Sequence, residues 1–144
     1  MREIPWNESQ VVEALAIPEP VVKILLVDDR PEKLLALASV FDGMGLELVM
    51  AQSGGDALRQ LLIQEFAVIL LDVNMPIMDG FETASLIRQR KSSEHTPIIF
   101  ITSMNPTSSH PTRGYSLGAV DYIFAPVMPD ILRANVSVFL DLFK

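Results

Sequence analysis

Short apolar runs recur five times along the chain, and the segments between them place apolar residues at helical spacing. The runs are nearly continuous and contain many β-branched residues, a pattern typical of strands buried on both faces of a parallel sheet. The predicted strands are VVKILLVD, LELVMAQ, FAVILLD, TPIIFITS and VDYIFA. Strands that alternate with helices five times predict one open α/β domain whose sheet is covered on both faces.

The segments between the runs carry helix start and stop signals. Pro31 stands in the first turn of the helix that follows strand one, and Ser53 is placed to cap the next helix. Gly43 and Gly45 are stop signals for the helix in EKLLALASVFDGMG. The other predicted helices are GGDALRQLLIQ, FETASLIRQRK, HPTRGYSLG and PDILRANVSVFLDLF.

Composition limits the classes of function. The chain has 144 residues, 49% of them hydrophobic, which suits a domain at 22–144 preceded by a lead segment or linker at 1–21. A formal net charge of −7 argues against a nucleic-acid surface, because phosphate backbones favour Lys and Arg. The absence of cysteine excludes disulfides and zinc thiolate sites. No apolar run has the length of a membrane span or a signal-peptide core, so we expect a cytoplasmic protein.

Acidic and hydroxyl side chains follow three of the predicted strands. Asp28 and Asp29 end the first strand, Asp72 ends the third, and Thr102 ends the fourth. The ligand crevice of an open α/β sheet lies at these ends, and in the strand order 2-1-3-4-5 the first and third strands are neighbours there. Carboxylates that share a pocket repel one another unless a cation holds them, and Mg²⁺ prefers carboxylate and phosphate oxygens. The pattern therefore indicates a magnesium site that handles a phosphoryl group, whereas a single such Asp is usually a turn or cap residue.

Together these motifs resemble the receiver domain of two-component response regulators. ILLVDDRPE is similar to its acidic-pair motif, VILLDVNMPIMDG to its phosphoacceptor motif, PIIFITS to its switch strand and GAVDYIFAP to its last strand. The resemblance covers about Val22 to Phe143. It implies an open five-stranded parallel sheet in the order 2-1-3-4-5 with helices on both faces, the flavodoxin-like receiver fold.

The resemblance also implies a chemistry for the site. Asp72 takes a phosphoryl group from a phosphohistidine on a histidine kinase or phosphotransfer domain. Asp29 ligates Mg²⁺ directly, Asp28 does so directly or through water, and the main-chain carbonyl of Asn74 completes the protein's share of the metal shell. Such a protein is not a conventional enzyme by itself, but it catalyses its own Mg²⁺-dependent phosphorylation and dephosphorylation.

Two further residues would respond to the phosphoryl group if the resemblance holds. Thr102 would lend its hydroxyl to a phosphoryl oxygen, and Tyr122 is the aromatic switch residue, whose ring moves inward as Thr102 shifts. The alternative for Tyr122 is an aromatic side chain that simply covers the sheet. Pro76, Asp79 and Gly80 are interpreted as loop geometry rather than chemistry.

One position departs from the family pattern. The family carries a lysine immediately before the proline of strand five, and this chain has Ala125. Lys23 begins strand one, at the wrong end, and Arg113 on the predicted fourth helix is the only substitute that we identify from the sequence. Two hypotheses remain: a receiver that accepts phosphate but switches weakly or by another route, and a phosphate-independent pseudo-receiver that binds other proteins. The peptide bond before Pro126 is expected to be cis.

Other classes fit the residues less well. Phosphatases that form an aspartyl-phosphate need a second acid two residues after the first, and Asn74 occupies that position. No glycine-rich phosphate loop follows strand one, which disfavours a dinucleotide-binding enzyme. We further expect one domain of a longer response regulator or hybrid kinase, a homodimer through the fourth and fifth helices, and no nucleic-acid or membrane partner for this domain.

Overall fold

The five predicted strands form one parallel sheet. The computed structural model describes residues 7–10, 21–102, 118 and 121–143. The strands are β1 (Lys23–Val27), β2 (Glu47–Ala51), β3 (Val68–Asp72), β4 (Ile98–Thr102) and β5 (Asp121–Phe124). Their order across the sheet is β2-β1-β3-β4-β5, which confirms the predicted fold class.

Within the described ranges, four helices pack on the sheet. They are α1 (Pro31–Val40), α2 (Gly54–Ile63), α3 (Gly80–Gln89) and α4 (Pro129–Phe143). The helix predicted for HPTRGYSLG and most of the lead segment at 1–21 lie outside the described residues, so the expected homodimer surface stays a prediction. Among the described residues, none of the helices combines the length and apolar character that crossing a membrane requires.

Alternate residues of each central strand enter two separate cores, which is why the runs are apolar throughout. One core lies between the sheet and helices α2 and α3, and includes Leu25, Ile69 and Phe100. The other lies between the sheet and helices α1 and α4, and includes Leu26 and Leu70. Continuous apolar sequence is therefore the signature of a sheet that excludes water from both faces.

The helix boundaries follow the predicted signals at the N-termini more closely than at the C-termini. Pro31 begins α1, and the Ser53 side chain accepts a hydrogen bond of 3.0 Å from the Asp56 amide, as a cap should. α1 ends at Val40, before the predicted glycine stops; Gly43 adopts a left-handed φ of 79° in the connection that follows. Glycine is placed there because it adopts positive φ without a steric cost.

The strand register brings the polar residues to one edge. Val27 of β1 pairs with Leu71 of β3, so the residues that follow them, Asp28 and Asp72, lie side by side at the carboxyl end of the sheet. Thr102 ends β4, the strand on the other side of β3, and its carbonyl accepts a hydrogen bond of 2.7 Å from the Ala125 amide. The Ala125–Pro126 peptide bond is cis, as expected.

Candidate phosphoacceptor and metal site

Three carboxylates converge at the carboxyl edge of the sheet. One oxygen from each of Asp28, Asp29 and Asp72 can be chosen such that all three lie within 4.8 Å of one another. Asp28 and Asp72 are buried, with exposed fractions of 5% and 6%, whereas Asp29 is partly exposed. Three of the four residues that the sequence predicts as metal ligands therefore lie close together at this edge of the sheet.

Local hydrogen bonds hold two of these carboxylates in place. Asp28 accepts a hydrogen bond of 3.0 Å from the Arg30 amide, which turns the chain from β1 into α1. Asp72 accepts a backbone hydrogen bond from Asn74. The role of the Asn74 main-chain carbonyl as a metal ligand stays a prediction.

Burial makes the charges at this site costly. It raises the pKa of Asp72 to about 6, and the neighbouring Asp28 charge adds to this increase, while Lys33 and the Asn74 amide oppose it. Burial likewise raises the pKa of Asp28, against the Arg30 amide and Lys33. A hard divalent cation would relieve both effects, and clustered carboxylate oxygens are the donors that Mg²⁺ prefers, so these residues fit the ion.

The predicted switch residues Thr102 and Tyr122 are both buried, and their role as a switch stays a prediction. Thr102 is buried and lines the same cleft as Asp28 and Asp72. The Tyr122 ring is buried, with its centroid 5.8 Å from that of Phe100 and 5.1 Å from that of Phe124. Its hydroxyl is buried without a hydrogen-bond partner in the described part of the chain. The ring thus points inward, and a hydrogen bond from its hydroxyl to a nearby acceptor would be favourable.

The loop after β3 is built by backbone constraints. The Asp79 side chain accepts a hydrogen bond of 2.8 Å from the Glu82 amide and so caps α3. The Gly80 amide donates to the Val73 carbonyl at 2.9 Å, and a β-carbon on Gly80 would lie 2.2 Å from the carbonyl oxygen of Asp72. These contacts agree with a role in loop geometry for Asp79 and Gly80.

Ile77 in this loop is strained, and its replacement provides a test of stability. Its φ is 70° and its side chain is fully exposed. A left-handed conformation costs an L-residue about 1–2 kcal/mol, of which the greater chain entropy of glycine offsets part. We expect Ile77→Gly to raise the free energy of unfolding by roughly 0.5–1 kcal/mol in urea denaturation. Ile131→Gly, on an exposed helical position, should lower it by a similar amount; a loss in both variants would contradict the assignment of strain.

The cleft itself extends past the carboxylates. It has a volume of about 370 Å³ and lies between the carboxyl ends of β4 and β5 and one side of α1 along its length; its lining includes Asp28, Lys33, Asp72, Thr102 and Ala125. Lys33 was not predicted as a site residue from the sequence, because its side chain reaches the cleft only once α1 has packed on the sheet. Its place in the first turn after the acidic pair was the available signal. Arg113, the proposed substitute for the missing lysine, lies outside the described residues.

The parallel sheet has the strand order 2-1-3-4-5, with three clustered carboxylates at its carboxyl edge and a hydroxyl residue at the end of the next strand. This is the arrangement expected of a receiver domain. The chain belongs to the response regulator receiver domain family, whose sequence pattern matches residues 24–137. It functions as a receiver in two-component signalling. Receiver domains of this family interact with histidine kinases or phosphotransfer partners.

Individual relatives place the domain in larger proteins. Over 118 residues the chain is 37% identical to a probable cyclic di-GMP phosphodiesterase of Vibrio cholerae, covering 81% of this chain and 26% of that protein. It is 32% identical to the sensor protein EvgS of Escherichia coli K12, covering 94% of this chain and 11% of that protein. The chain thus spans about a quarter or less of these two relatives.

A solved structure shares the fold. The receiver domain of the sensor histidine kinase PA1611 from Pseudomonas aeruginosa matches with a TM-score of 0.76 at 23% identity, covering 85% of this chain and 99% of that one. That domain holds a magnesium ion in its active-site cleft, so Mg²⁺ binding occurs within the family.

Proposed function

We propose that Asp72 accepts a phosphoryl group from the phosphohistidine of a histidine kinase or phosphotransfer domain. Asp28, Asp29 and Asp72, together with the main-chain carbonyl of Asn74, would hold a Mg²⁺ ion during the transfer. The observation that carries this proposal is the approach of three carboxylate oxygens within 4.8 Å. Because a kinase draws its phosphate from cellular ATP, we place the reaction in the cytoplasm.

The residues of the chain divide the work of the transfer. A carboxylate oxygen of Asp72 bonds to phosphorus while the bond from phosphorus to the donor imidazole breaks, and the imidazole takes up a proton. At pH 7 the Asp72 carboxyl, with a pKa of about 6, is mostly ionised and able to attack. Charge in the transition state spreads over the equatorial oxygens, and bound Mg²⁺ supplies the positive charge that neutralises it. Thr102, in the same cleft, would contact a phosphoryl oxygen of the product.

Phosphorylation would then be read by Thr102 and Tyr122. The added phosphoryl group brings negative charge and strong acceptor oxygens next to Thr102. A shift of Thr102 would stabilise one position of the Tyr122 ring, which packs against Phe100 and Phe124. A switch of this kind is a redistribution between two conformations that the phosphoryl group biases.

The second candidate function is the phosphate-independent pseudo-receiver, which Ala125 favours. Titration with Mg²⁺ and beryllofluoride, followed by amide chemical shifts, separates the two. For the phosphoacceptor we expect beryllofluoride to shift the signals of Asp72, Thr102 and Tyr122 with Mg²⁺ present and to leave them unchanged with EDTA. Asp72→Asn serves as the control that should not respond. A wild-type chain that ignores both ligands would be a pseudo-receiver.

The raised pKa of Asp72 makes Mg²⁺ binding depend on pH. A proton on Asp72 competes with the metal, so affinity should fall as pH drops through about 6. With that pKa, the Mg²⁺ dissociation constant should increase about tenfold between pH 7 and pH 5 in calorimetric titrations. Asp72→Asn should bind more weakly and lose most of this dependence. An unchanged wild-type affinity between pH 7 and pH 5 would show that Asp72 is not a ligand.

A further inference from the structure

The cleft lining includes a lysine as well as the alanine that follows β5. Ala125 contributes only a methyl group to the lining, next to Thr102. Among the described residues that line the cleft, Lys33 is the only basic one. It lies in the first turn of α1, directly after the acidic pair, and its side chain is half-buried. Within the described part of the lining, the positive charge therefore comes from α1 rather than from the segment after β5.

The ammonium group of Lys33 is also available to bind a ligand. In the part of the chain that the structure describes, its ammonium group makes no ion pair within 4.0 Å and no side-chain hydrogen bond. Lys23, by contrast, donates a hydrogen bond of 3.0 Å to Gln64 and lies 3.8 Å from Glu47 at the other edge of the sheet. The ammonium donors of Lys33 thus remain for a group that enters the cleft, and its four-carbon stem can move to meet it.

Lys33 lines the same cleft as the proposed phosphoacceptor. Asp72 and Thr102 both belong to that lining, so a phosphoryl group on Asp72 would enter a cleft that Lys33 borders. The phosphoryl group carries more negative charge than the carboxylate alone, so a cation in the cleft attracts the phosphorylated form more strongly.

We propose that Lys33 is the phosphoryl-sensing cation of this receiver, whose ammonium group pairs with the phosphoryl oxygens on Asp72 in place of a lysine at position 125. The inference rests on the proposed phosphoacceptor function. It changes where the signal goes: an ion pair from Lys33 acts on the first turn of α1, whereas one from position 125 would act on the connection from β5 to α4. Phosphorylation is therefore coupled to α1.

Lys33→Met tests the proposal, since methionine keeps the length and helix propensity of lysine without its charge. At saturating Mg²⁺ we expect beryllofluoride affinity to fall about tenfold, as loss of one close ion pair requires. Mg²⁺ affinity without beryllofluoride should instead rise, because a repelling cation has been removed. A merely structural role for Lys33 would not produce these opposite changes.

Two further variants complete the design. Lys91→Met, on an exposed residue just beyond α3, is the matched control and should behave as wild type. Lys33→Met combined with Ala125→Lys should recover beryllofluoride affinity, because the second substitution returns a cation to the cleft. If wild type and Lys33→Met bind beryllofluoride equally, the inference is wrong and the phosphoacceptor function stands. If the wild-type chain does not bind beryllofluoride at all, the proposed phosphoacceptor function is wrong, and the inference that rests on it is wrong as well.

Discussion

Asp72→Asn is expected to lose all phosphoryl labelling and to gain stability at the same time. With acetyl phosphate and Mg²⁺, the wild-type chain should gain the mass of one phosphoryl group at Asp72, and the variant should gain none. In metal-free buffer at pH 7, the free energy of unfolding of the variant should be higher by up to about 3 kcal/mol, because the buried charge and its repulsion by Asp28 have been removed.

The sign of the stability effect follows from the Asp72 pKa. The pKa is about 6 in the folded protein and near 3.8 in the unfolded chain, so between these values the folded state binds more protons. Stability therefore falls as pH rises through this window, and the destabilisation is fully present above about pH 6. Urea denaturation at pH 7 and at pH 4 should show the advantage of Asp72→Asn shrinking toward zero at the lower pH.

Asp79→Asn is the matched control for this experiment. Asp79 caps α3, outside the carboxylate cluster, and asparagine caps helices about as well as aspartate. The control should keep its labelling and its stability. A variant at Asp72 that is less stable than wild type at pH 7 would mean that the carboxylate is stabilised in the fold by contacts other than those described here.

Gly80→Ala is expected to have the largest effect on the fold. A β-carbon at this position would lie 2.2 Å from the Asp72 carbonyl oxygen and 2.8 Å from the Val73 α-carbon, both of them backbone atoms. Backbone at the end of a central strand cannot move aside without breaking sheet pairing, so we expect a loss of about 2–4 kcal/mol in the free energy of unfolding. The same displacement should move Asp72 and weaken Mg²⁺ binding.

Gly55→Ala is the matched control for Gly80→Ala, and we expect it to stabilise the protein rather than destabilise it. A β-carbon on Gly55, in the first turn of α2, has no atom within 4 Å. Alanine there should stabilise the protein by about 0.5–1 kcal/mol, because glycine costs more chain entropy in a helix. Thermal and urea denaturation of the pair measure the difference. Similar stability in the two variants would show that the Gly80 contact is relaxed in solution.

The order of elements and most of the site could be predicted from local patterns. Continuous apolar runs indicated strands buried on both faces, and the residues after β1, β3 and β4 indicated the cleft. Caps such as Ser53 were predictable because they depend on neighbours within three residues. The end of α1 at Val40 was not, since the chain leaves the helix three residues before the first glycine.

The sequence by itself determined the receiver fold, the acidic triad and the absence of a lysine before Pro126, because each is written in contiguous residues and in the polarity of strand ends. Only the tertiary structure decided that Lys33 lines the cleft, that the Tyr122 ring is inward and that a β-carbon on Gly80 would clash with the Asp72 backbone. These contacts depend on how α1, β5 and α3 are oriented against the sheet. That orientation is set by packing between residues far apart in sequence, which local spacing does not encode.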